Sequence, residues 1–326
     1  MGKNPHVSTA IFAKKYGPLI SLRLGSQHLV VATSPEAAME ILKTQDRHLS
    51  GRNRPASFQL YASYDGLVWA HDCNEHWKIL RTLTRAELFS AKAIEAQSDL
   101  RNEKLAQMLD YLNITEGKVV KIEEELFIAG TDTVVSTIEW TMAELLKNKE
   151  IMKKVQEELK SEINTNASIM KFDFSKMTYF NACIKETLRL HPVVPLLIPR
   201  RAVETCEVMG YTIPQNSQIW VNIWALSRDP KVWDEPNIFK PERFIGSHLN
   251  YTGHDFEFTP FGGGRRMCPG LLSGIKGLET ILASLILGFD WVLPHGEDPA
   301  NLDMNEHFGV TLQKEKPLEL IFKRKE

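Results

Sequence analysis

The chain has 326 residues, of which 43% are hydrophobic and 25% are charged, a globular composition that allows a large core. Its net charge of −2 argues against a nucleic-acid partner. Its four widely spaced cysteines form no disulfide framework, which fits a reducing compartment. Because no linker or internal repeat divides the sequence, we predict one domain over residues 1–326.

The N-terminal region predicts a hairpin followed by a helix. Met1 to Ser8 is polar and has no apolar run long enough for a signal peptide or a membrane span. Residues 19–33 alternate as strands do around a turn at Gly25-Ser26. Ser34 then suits the N-cap, and Pro35 the first helical position, of a helix that runs through Leu42.

A predicted helix over residues 75–89 carries an aromatic and a basic residue on one face. Trp77 and Arg81 are four residues apart and therefore share that face. On spacing alone, an amphipathic helix with a core tryptophan and a solvated arginine is a common explanation of such a pair. A short strand is predicted over residues 118–122.

The stretch Ala129-Gly130-Thr131-Asp132-Thr133 leads into a helical run over residues 138–146. Glycine costs roughly 1 kcal/mol against alanine inside a helix, and threonine bonds back to the preceding turn. A sequence that departs from these helix preferences usually does so for function, so this stretch is a candidate functional element. The alternative is a helix kink with a buried threonine.

Downstream elements predict a further helix and several strands. A helix over residues 175–190 ends before His191-Pro192, and its Glu186 and Arg189 have a spacing that any exposed ion pair shows. The strand-like pieces 205–209 and 218–221 predict one small sheet, and the pieces 311–312 and 318–322 predict a final hairpin.

The loop from Phe261 to Gly270 contains three consecutive glycines and delivers one cysteine to the start of an apolar helical run. Glycine lets a backbone approach a flat ligand closely. A helix N-terminus favours a thiolate, and a thiolate is a metal ligand, so Cys268 is a candidate ligand. A buried structural cysteine is the alternative. No cysteine or histidine stands at zinc-ligand spacing from Cys268.

The order of Phe261, Gly264, Arg266, Cys268 and Gly270 resembles the haem-binding signature of the cytochrome P450 family. The resemblance implies the P450 fold, mainly α with small β-sheets, and haem b whose iron takes the Cys268 thiolate as axial ligand. Three further elements appear in family order, so the resemblance spans nearly the whole chain. They are Trp77 with Arg81, residues 129–133, and Glu186 and Arg189 with Arg243.

The resemblance also implies roles on both sides of the haem. Trp77 and Arg81 would donate hydrogen bonds to a haem propionate. The residues of the oxygen-activating helix would act on the opposite side: Ala129 and Gly130 beside the haem, with the glycine making room for dioxygen, and Asp132 and Thr133 delivering protons.

A third implied element is a buried charge triad. Pro241-Glu242-Arg243-Phe244 resembles the second arginine element of the family. Glu186, Arg189 and Arg243 would then fix the segment on the haem side, since only paired charges are tolerable inside a protein.

The chain departs from the family pattern in two regions. The N-terminal membrane anchor is not found, and the distal lid helices are missing near residues 121–125, where we predict an internal deletion. In the haem helix, Ser273 and Gly274 stand where the family more often has an apolar residue and alanine.

The resemblance implies a monomeric monooxygenase that inserts one oxygen atom from O2 into a small lipophilic plant metabolite of the alkaloid or terpenoid class. The chain looks most like plant microsomal members, similar to the N-methylcoclaurine hydroxylase and geraniol hydroxylase groups. An NADPH-dependent reductase would supply electrons, docking near Arg265, Arg266 and Lys276, unless these are ordinary solvated charges. The enzyme would lie at the endoplasmic reticulum, or be cytosolic or loosely bound without the anchor. The alternative is an inactive shortened remnant, because a roofless pocket admits water.

Overall fold

The computed structural model describes residues 1–54, 66–122, 132–163, 169 and 172–325. They form two units, each assembled from three stretches of the chain. The first contains Met1–Ser90, Val194–Asn237 and Leu249–Leu271, and the second contains Ala91–Val193, Ile238–His248 and Leu272–Glu326. Helices predominate and the sheets are small, so the predicted fold class is confirmed.

The first unit is built around a four-stranded sheet. The predicted hairpin forms as β1 (Leu19–Leu24) and β2 (Gln27–Ala32), with Leu24 opposite Gln27 and Gly25 in the left-handed region at the turn. Strand β2 pairs in parallel with β7 (Gln218–Val221), which pairs antiparallel with β4 (Arg200–Arg201).

Helices follow the hairpin as predicted. Helix α2 (Pro35–Met39) is capped by Ser34, which accepts a hydrogen bond from the backbone N–H of Ala37, and continues as a π-helical turn over Glu40–Thr44. Helix α3 (Asp46–Leu49) comes next. The apolar faces of these elements and the sheet share one core, whose members include Val30, Ala32, Ile41, Leu42, Leu49, Ile219 and Val221.

Helix α4 (Glu75–Leu83) lies in the same unit and continues as a π-helical turn over Thr84–Leu88. Asn74 caps it by accepting a hydrogen bond from the backbone N–H of Trp77 at 2.9 Å. Among its described residues, the unit also contains the helices α1 (Pro5–Tyr16) and α10 (Ile223–Leu226).

The prediction of one small sheet from residues 205–209 and 218–221 is wrong. Strand β5 (Cys206–Val208) forms a separate hairpin with β6 (Tyr211–Ile213), whereas β7 belongs to the four-stranded sheet. Both pieces are strands, but a strand pattern does not identify the partner strand.

The second unit is helical around α7 (Asp132–Lys147), whose residues 135–146 are all buried. The unit also contains α5 (Ala91–Ala96), α6 (Ser98–Ile114) and α8 (Lys149–Glu162). Helix α9 (Thr178–Leu190) is capped by a neighbouring helix, because the Glu158 carboxylate accepts hydrogen bonds from the backbone N–H groups of Tyr179 and Phe180.

Small sheets complete the second unit. Strand β11 (Glu319–Arg324) pairs with β3 (Val119–Lys121) and β8 (Phe289–Val292), while β9 (Glu306–Phe308) pairs with β10 (Leu312–Lys314). The predicted final hairpin of residues 311–312 with 318–322 is therefore wrong, because each piece takes another partner.

Among the described residues, one helix is long and apolar enough to span a membrane. This helix, α11 (Leu271–Gly288), has a mean hydropathy of 1.5. Leu278 and residues 281–286 of α11 are buried, as in the core helix of a globular protein. Length and composition alone therefore do not indicate a span.

Candidate functional site

The glycine-rich loop that carries Cys268 lies in the first unit and packs closely against Leu42 and Asp46. Gly264 has a φ of 65°, and a Cβ added there would lie 2.2 Å from the backbone oxygen of Leu42 and 2.6 Å from Asp46 Oδ1. Only glycine fits this position. The loop closes on itself where the backbone N–H of Cys268 donates to the oxygen of Phe261 at 3.0 Å.

Cys268 lies near the end of that loop, shortly before α11 begins at Leu271. The residue is exposed, and the backbone N–H of Gly270 donates a hydrogen bond to its sulfur. The desolvation of the sulfur by its surroundings raises the pKa of Cys268, and the Gly270 hydrogen bond and the charge of Arg81 oppose this rise. In the chain by itself the thiol form is favoured, although the sequence predicts that the helix N-terminus favours a thiolate.

Trp77 and Arg81 lie beside the loop on α4. Trp77 is buried and its Nε1–H donates to the oxygen of Leu67 at 2.9 Å. Arg81 Nη2 donates to the oxygen of Met267, the residue before the cysteine. The structure thus places Arg81 next to the predicted ligand, while the indole N–H of Trp77 is held by a backbone carbonyl.

Arg266 points inward from the loop. Its guanidinium donates to three backbone oxygens, those of Ser50, Leu67 and Ala70, at 2.9, 2.9 and 2.6 Å. It also lies 4.9 Å from the centre of the Trp77 ring. Arg266 therefore ties the loop to the segment that precedes α4.

The sequence did not point to two further arginines and one aspartate of this region. Arg200 is buried and donates to Asp46 Oδ1 and to the oxygen of Gly263, both at 2.7 Å. Arg52 is buried and donates to the oxygens of Ile198 and Pro199. These contacts join residues far apart in the chain, so no local spacing marks them.

Together the arginines form a cationic cluster, which we define as Arg52, Arg81, Arg200 and Arg266. Burial lowers the pKa of all four. Nearby arginines lower the pKa of Arg52, Arg81 and Arg266 further, while Asp46 raises that of Arg200. The cluster therefore has unbalanced positive charge and suits an anionic group.

The residues present fit a haem. A haem carries two anionic propionates, which match the excess positive charge of the cationic cluster, and its iron accepts a thiolate such as that of Cys268. The backbone of Leu42 and the side chain of Asp46 occupy the space beside Gly264, so this glycine lets the loop pack against them.

Asp132 and Thr133 belong to the second unit and begin α7 with both residues exposed. The backbone oxygen of Thr133 accepts a hydrogen bond from Thr137 Oγ1 at 2.8 Å, the back-bonding expected of threonine in a helix. Ala129, Gly130 and Thr131 lie outside the described residues.

The second unit brings Glu186, Arg189 and Arg243 together. Glu186 Oε2 lies 2.7 Å from Arg189 Nε, and Glu186 Oε1 lies 3.0 Å from Arg243 Nε. The backbone N–H of Lys240 donates to the same Oε1 at 2.8 Å. All three side chains are buried, and the glutamate joins α9 to the 3-10 turn Pro241–Phe244.

The family model described as Cytochrome P450 matches residues 1–126 and 113–322 of the chain. The chain belongs to the cytochrome P450 family. It is a monooxygenase by family, and the resemblance found in the sequence is confirmed.

Plant enzymes are among the relatives of this P450. It is 37% identical to the probable (S)-N-methylcoclaurine 3'-hydroxylase isozyme 2 of Coptis japonica, over 99% of this chain and 90% of that protein. It is 35% identical to the (S)-N-methylcoclaurine 3'-hydroxylase isozyme 1 of Papaver somniferum, over 100% and 92% of the two chains. Corytuberine synthase of Coptis japonica is 34% identical, over 94% and 86%.

The fold of this P450 is similar to that of a zebra fish cytochrome P450 solved with progesterone. The TM-score is 0.84 at 20% identity, over 98% of this chain and 99% of that one. The alignment with the first Coptis relative extends over 440 positions, whereas this chain has 326 residues. That relative therefore has residues without a counterpart here.

Proposed function

We propose that this P450 inserts one oxygen atom from O2 into a small lipophilic plant metabolite of the alkaloid class, with electrons from an NADPH-dependent reductase. The observation that carries the proposal is the Cys268 thiol, exposed on its glycine-rich loop beside the cationic cluster. Support for the substrate class comes from relatives whose names identify them as N-methylcoclaurine hydroxylases.

Cys268 and the cationic cluster would hold the haem. Cys268 would hold the haem iron, and the bound haem would supply the activation of dioxygen. The Gly270 N–H and the Arg81 charge would stabilise the sulfur as it gives up its proton. The cationic cluster would balance the propionates, with Trp77 packed against Arg266.

Protons would be supplied from the start of α7. Asp132 and Thr133 are both exposed, so each can exchange protons with solvent. A carboxyl and a hydroxyl next to each other are able to pass a proton along a water chain.

Two of the three cations predicted to dock the reductase remain candidates. Arg266 is excluded, because its guanidinium donates to backbone oxygens within the protein. The Arg265 side chain is 42% exposed, and that of Lys276 is 37% exposed and pairs with Glu95 at 2.8 Å. If Lys276 contributes to docking, Lys276→Glu raises the reductase concentration needed for half-maximal rate and leaves the haem spectrum unchanged.

We further propose that the chain lacks an internal segment near residues 121–125 and that it acts at the endoplasmic reticulum as a monomer. The two matches to the family model overlap between residues 113 and 126, which supports this position for the shortening. The comparisons lend no support to the alternative of an inactive remnant.

The proposal is tested with haem-loaded protein, a plant reductase and NADPH. The reduced, carbon monoxide-bound spectrum reports thiolate ligation. Oxygen from ¹⁸O2 is then sought in products from N-methylcoclaurine and, as the terpenoid comparison, from geraniol. We expect a thiolate spectrum and labelled alkaloid product. A protein without the thiolate spectrum overturns the proposal. A thiolate spectrum without product from either compound contradicts the proposed substrate class and favours the inactive remnant.

A further inference from the structure

Asp46 is a buried carboxylate at the start of α3 that contacts the Cys268 loop from below. Its Oδ2 accepts a hydrogen bond from the backbone N–H of Arg265 at 3.0 Å and lies 3.2 Å from Arg265 Nε. Its Oδ1 lies 2.7 Å from Arg200 Nη1. Both oxygens therefore have partners: Oδ1 accepts a charge-assisted hydrogen bond from Arg200, and Oδ2 accepts a hydrogen bond from the backbone of the loop.

The Arg200 contact extends the hold of Asp46 to a second loop residue. Arg200 Nη2 donates to the backbone oxygen of Gly263 at 2.7 Å. Asp46 thus binds the loop directly at Arg265 and indirectly at Gly263, on both sides of Gly264. Gly264 leaves no room for a Cβ against Asp46 Oδ1, so the loop backbone rests on the carboxylate itself.

Asp46 is also the acidic partner that the structure describes for the cationic cluster. It raises the pKa of Arg200 and that of Arg266, against the effect of burial. Removing its charge would leave the buried guanidiniums less compensated. One carboxylate therefore fixes the loop and sets its local charge.

We propose that Asp46 is a positioning residue that holds the Cys268 loop in the geometry needed for ligation and offsets part of the positive charge of the cationic cluster. The part that concerns haem rests on the proposed function. The part that concerns the loop stands on the contacts of the chain alone.

Asp46→Asn is the decisive variant, because it keeps the size of the side chain but removes its charge and one acceptor. Asp72→Asn is the matched control. Asp72 Oδ1 also pairs with a buried arginine of the first unit, Arg201, at 2.6 Å, but no described contact of Asp72 reaches the loop. An effect that comes only from breaking an aspartate–arginine pair of the first unit should therefore also appear in Asp72→Asn.

The first measurement uses the chain without haem. The rate of Cys268 alkylation by iodoacetamide is followed by peptide mass spectrometry. We expect roughly tenfold faster alkylation in Asp46→Asn, since a hydrogen bond to a charged group that holds the loop is lost. Asp72→Asn should react like the parent. Equal rates in parent and Asp46→Asn overturn the loop part of the proposal.

The second measurement uses haem-loaded protein. Loss of a nearby negative charge should shift the haem midpoint potential to more positive values in Asp46→Asn and increase the share of protein without the thiolate carbon monoxide band. Identical potentials in Asp46→Asn and Asp72→Asn overturn the electrostatic part. If the parent itself lacks the thiolate band, the proposed function fails while the alkylation result still decides the loop part.

Arg200→Gln keeps the test decisive if Asp46→Asn does not fold. It removes the link to Gly263 and leaves the Asp46 contact with Arg265 in place. Cys268 alkylation intermediate between the rates of folded parent and denatured chain supports the proposal, and a parental rate overturns it.

Discussion

Arg189 Nε lies 2.7 Å from Glu186 Oε2, and neither side chain has any solvent exposure. A pair of this kind gives little net stability when intact, because burial has removed both charges from water. Its importance appears when one partner is lost.

We expect Glu186→Ala to lower the free energy of unfolding by about 3–5 kcal/mol, because Arg189 and Arg243 lose their buried counter-charge. Denaturant titration measures the change. Glu157→Ala is the control, since its 3.9 Å pair with Lys153 is solvent-exposed and worth at most about 1 kcal/mol. Parental stability in Glu186→Ala would show that the triad is dispensable.

Cys268→Ser should abolish the thiolate signature in the reduced carbon monoxide spectrum, because a neutral hydroxyl is a far poorer iron ligand. Serine variants of Cys73, Cys183 and Cys206 should keep it. The ligand assignment is wrong if one of these three variants loses the signature and Cys268→Ser retains it.

Gly264→Ala should prevent the Cys268 loop from forming, because the new Cβ meets the Leu42 backbone at 2.2 Å and the backbone φ is 65°. The unusual φ alone costs about 1–3 kcal/mol. Gly274→Ala is the comparison, since a Cβ there has no neighbour within 4 Å and alanine favours the helix by up to about 1 kcal/mol. Haem content and thermal unfolding separate them, and equal behaviour of the two variants contradicts the loop geometry.

The stability of the second unit should depend on pH through Glu279. Burial and the nearby Asp173 raise the pKa of Glu279 to about 7, with Lys276 acting in the opposite direction. A carboxyl whose pKa is higher in the folded state than in the unfolded state stabilises the fold at low pH. This contribution is lost as the pH rises from about 4 through about 7.

Glu279→Gln should therefore unfold at higher denaturant than the parent at pH 8, with little difference at pH 5. Glu150→Gln, at an exposed site on α8, should match the parent at both values. A difference at pH 5 as large as that at pH 8 would exclude a raised pKa as the cause.

Thr133→Ala should uncouple oxygen use from product formation, because the predicted proton path at the start of α7 loses its hydroxyl. NADPH consumption is expected to continue while hydrogen peroxide replaces hydroxylated product. Thr137→Ala, one turn further along α7, is the control, and its own hydroxyl bonds back to Thr133. Equal product per NADPH in Thr133→Ala and the parent would remove Thr133 from the proton path.

Local patterns predicted what local physics decides. The Ser34 cap, the turn at Gly25 and the end of α9 before Pro192 depend on residues close together in the chain. The Cys268 loop is also continuous. Strand partners were predicted incorrectly because β11 pairs with β3, which lies far from it in the sequence.

The supports of the site were missed for the same reason. Asp46 meets Arg200 and Arg265 across long separations, and a single aspartate at the start of a four-residue helix carries no recognisable pattern. Glu186 and Arg189 were accessible to sequence reasoning because they are three residues apart on one helix. Their burial and their contact with Arg243 needed the fold.

The two residues of β4 contact different partners, since neighbouring strand residues point to opposite faces. Arg200 reaches Asp46 and the Cys268 loop, and Arg201 reaches Asp72. Deleting one residue before β4 would place Arg201 in the Arg200 position and leave Asp72 without its arginine. Inserting one residue would place Pro199 or the insertion beneath the loop instead. A shift of one residue in either direction would therefore deprive one of the two aspartates of its arginine: Asp72 after a deletion and Asp46 after an insertion.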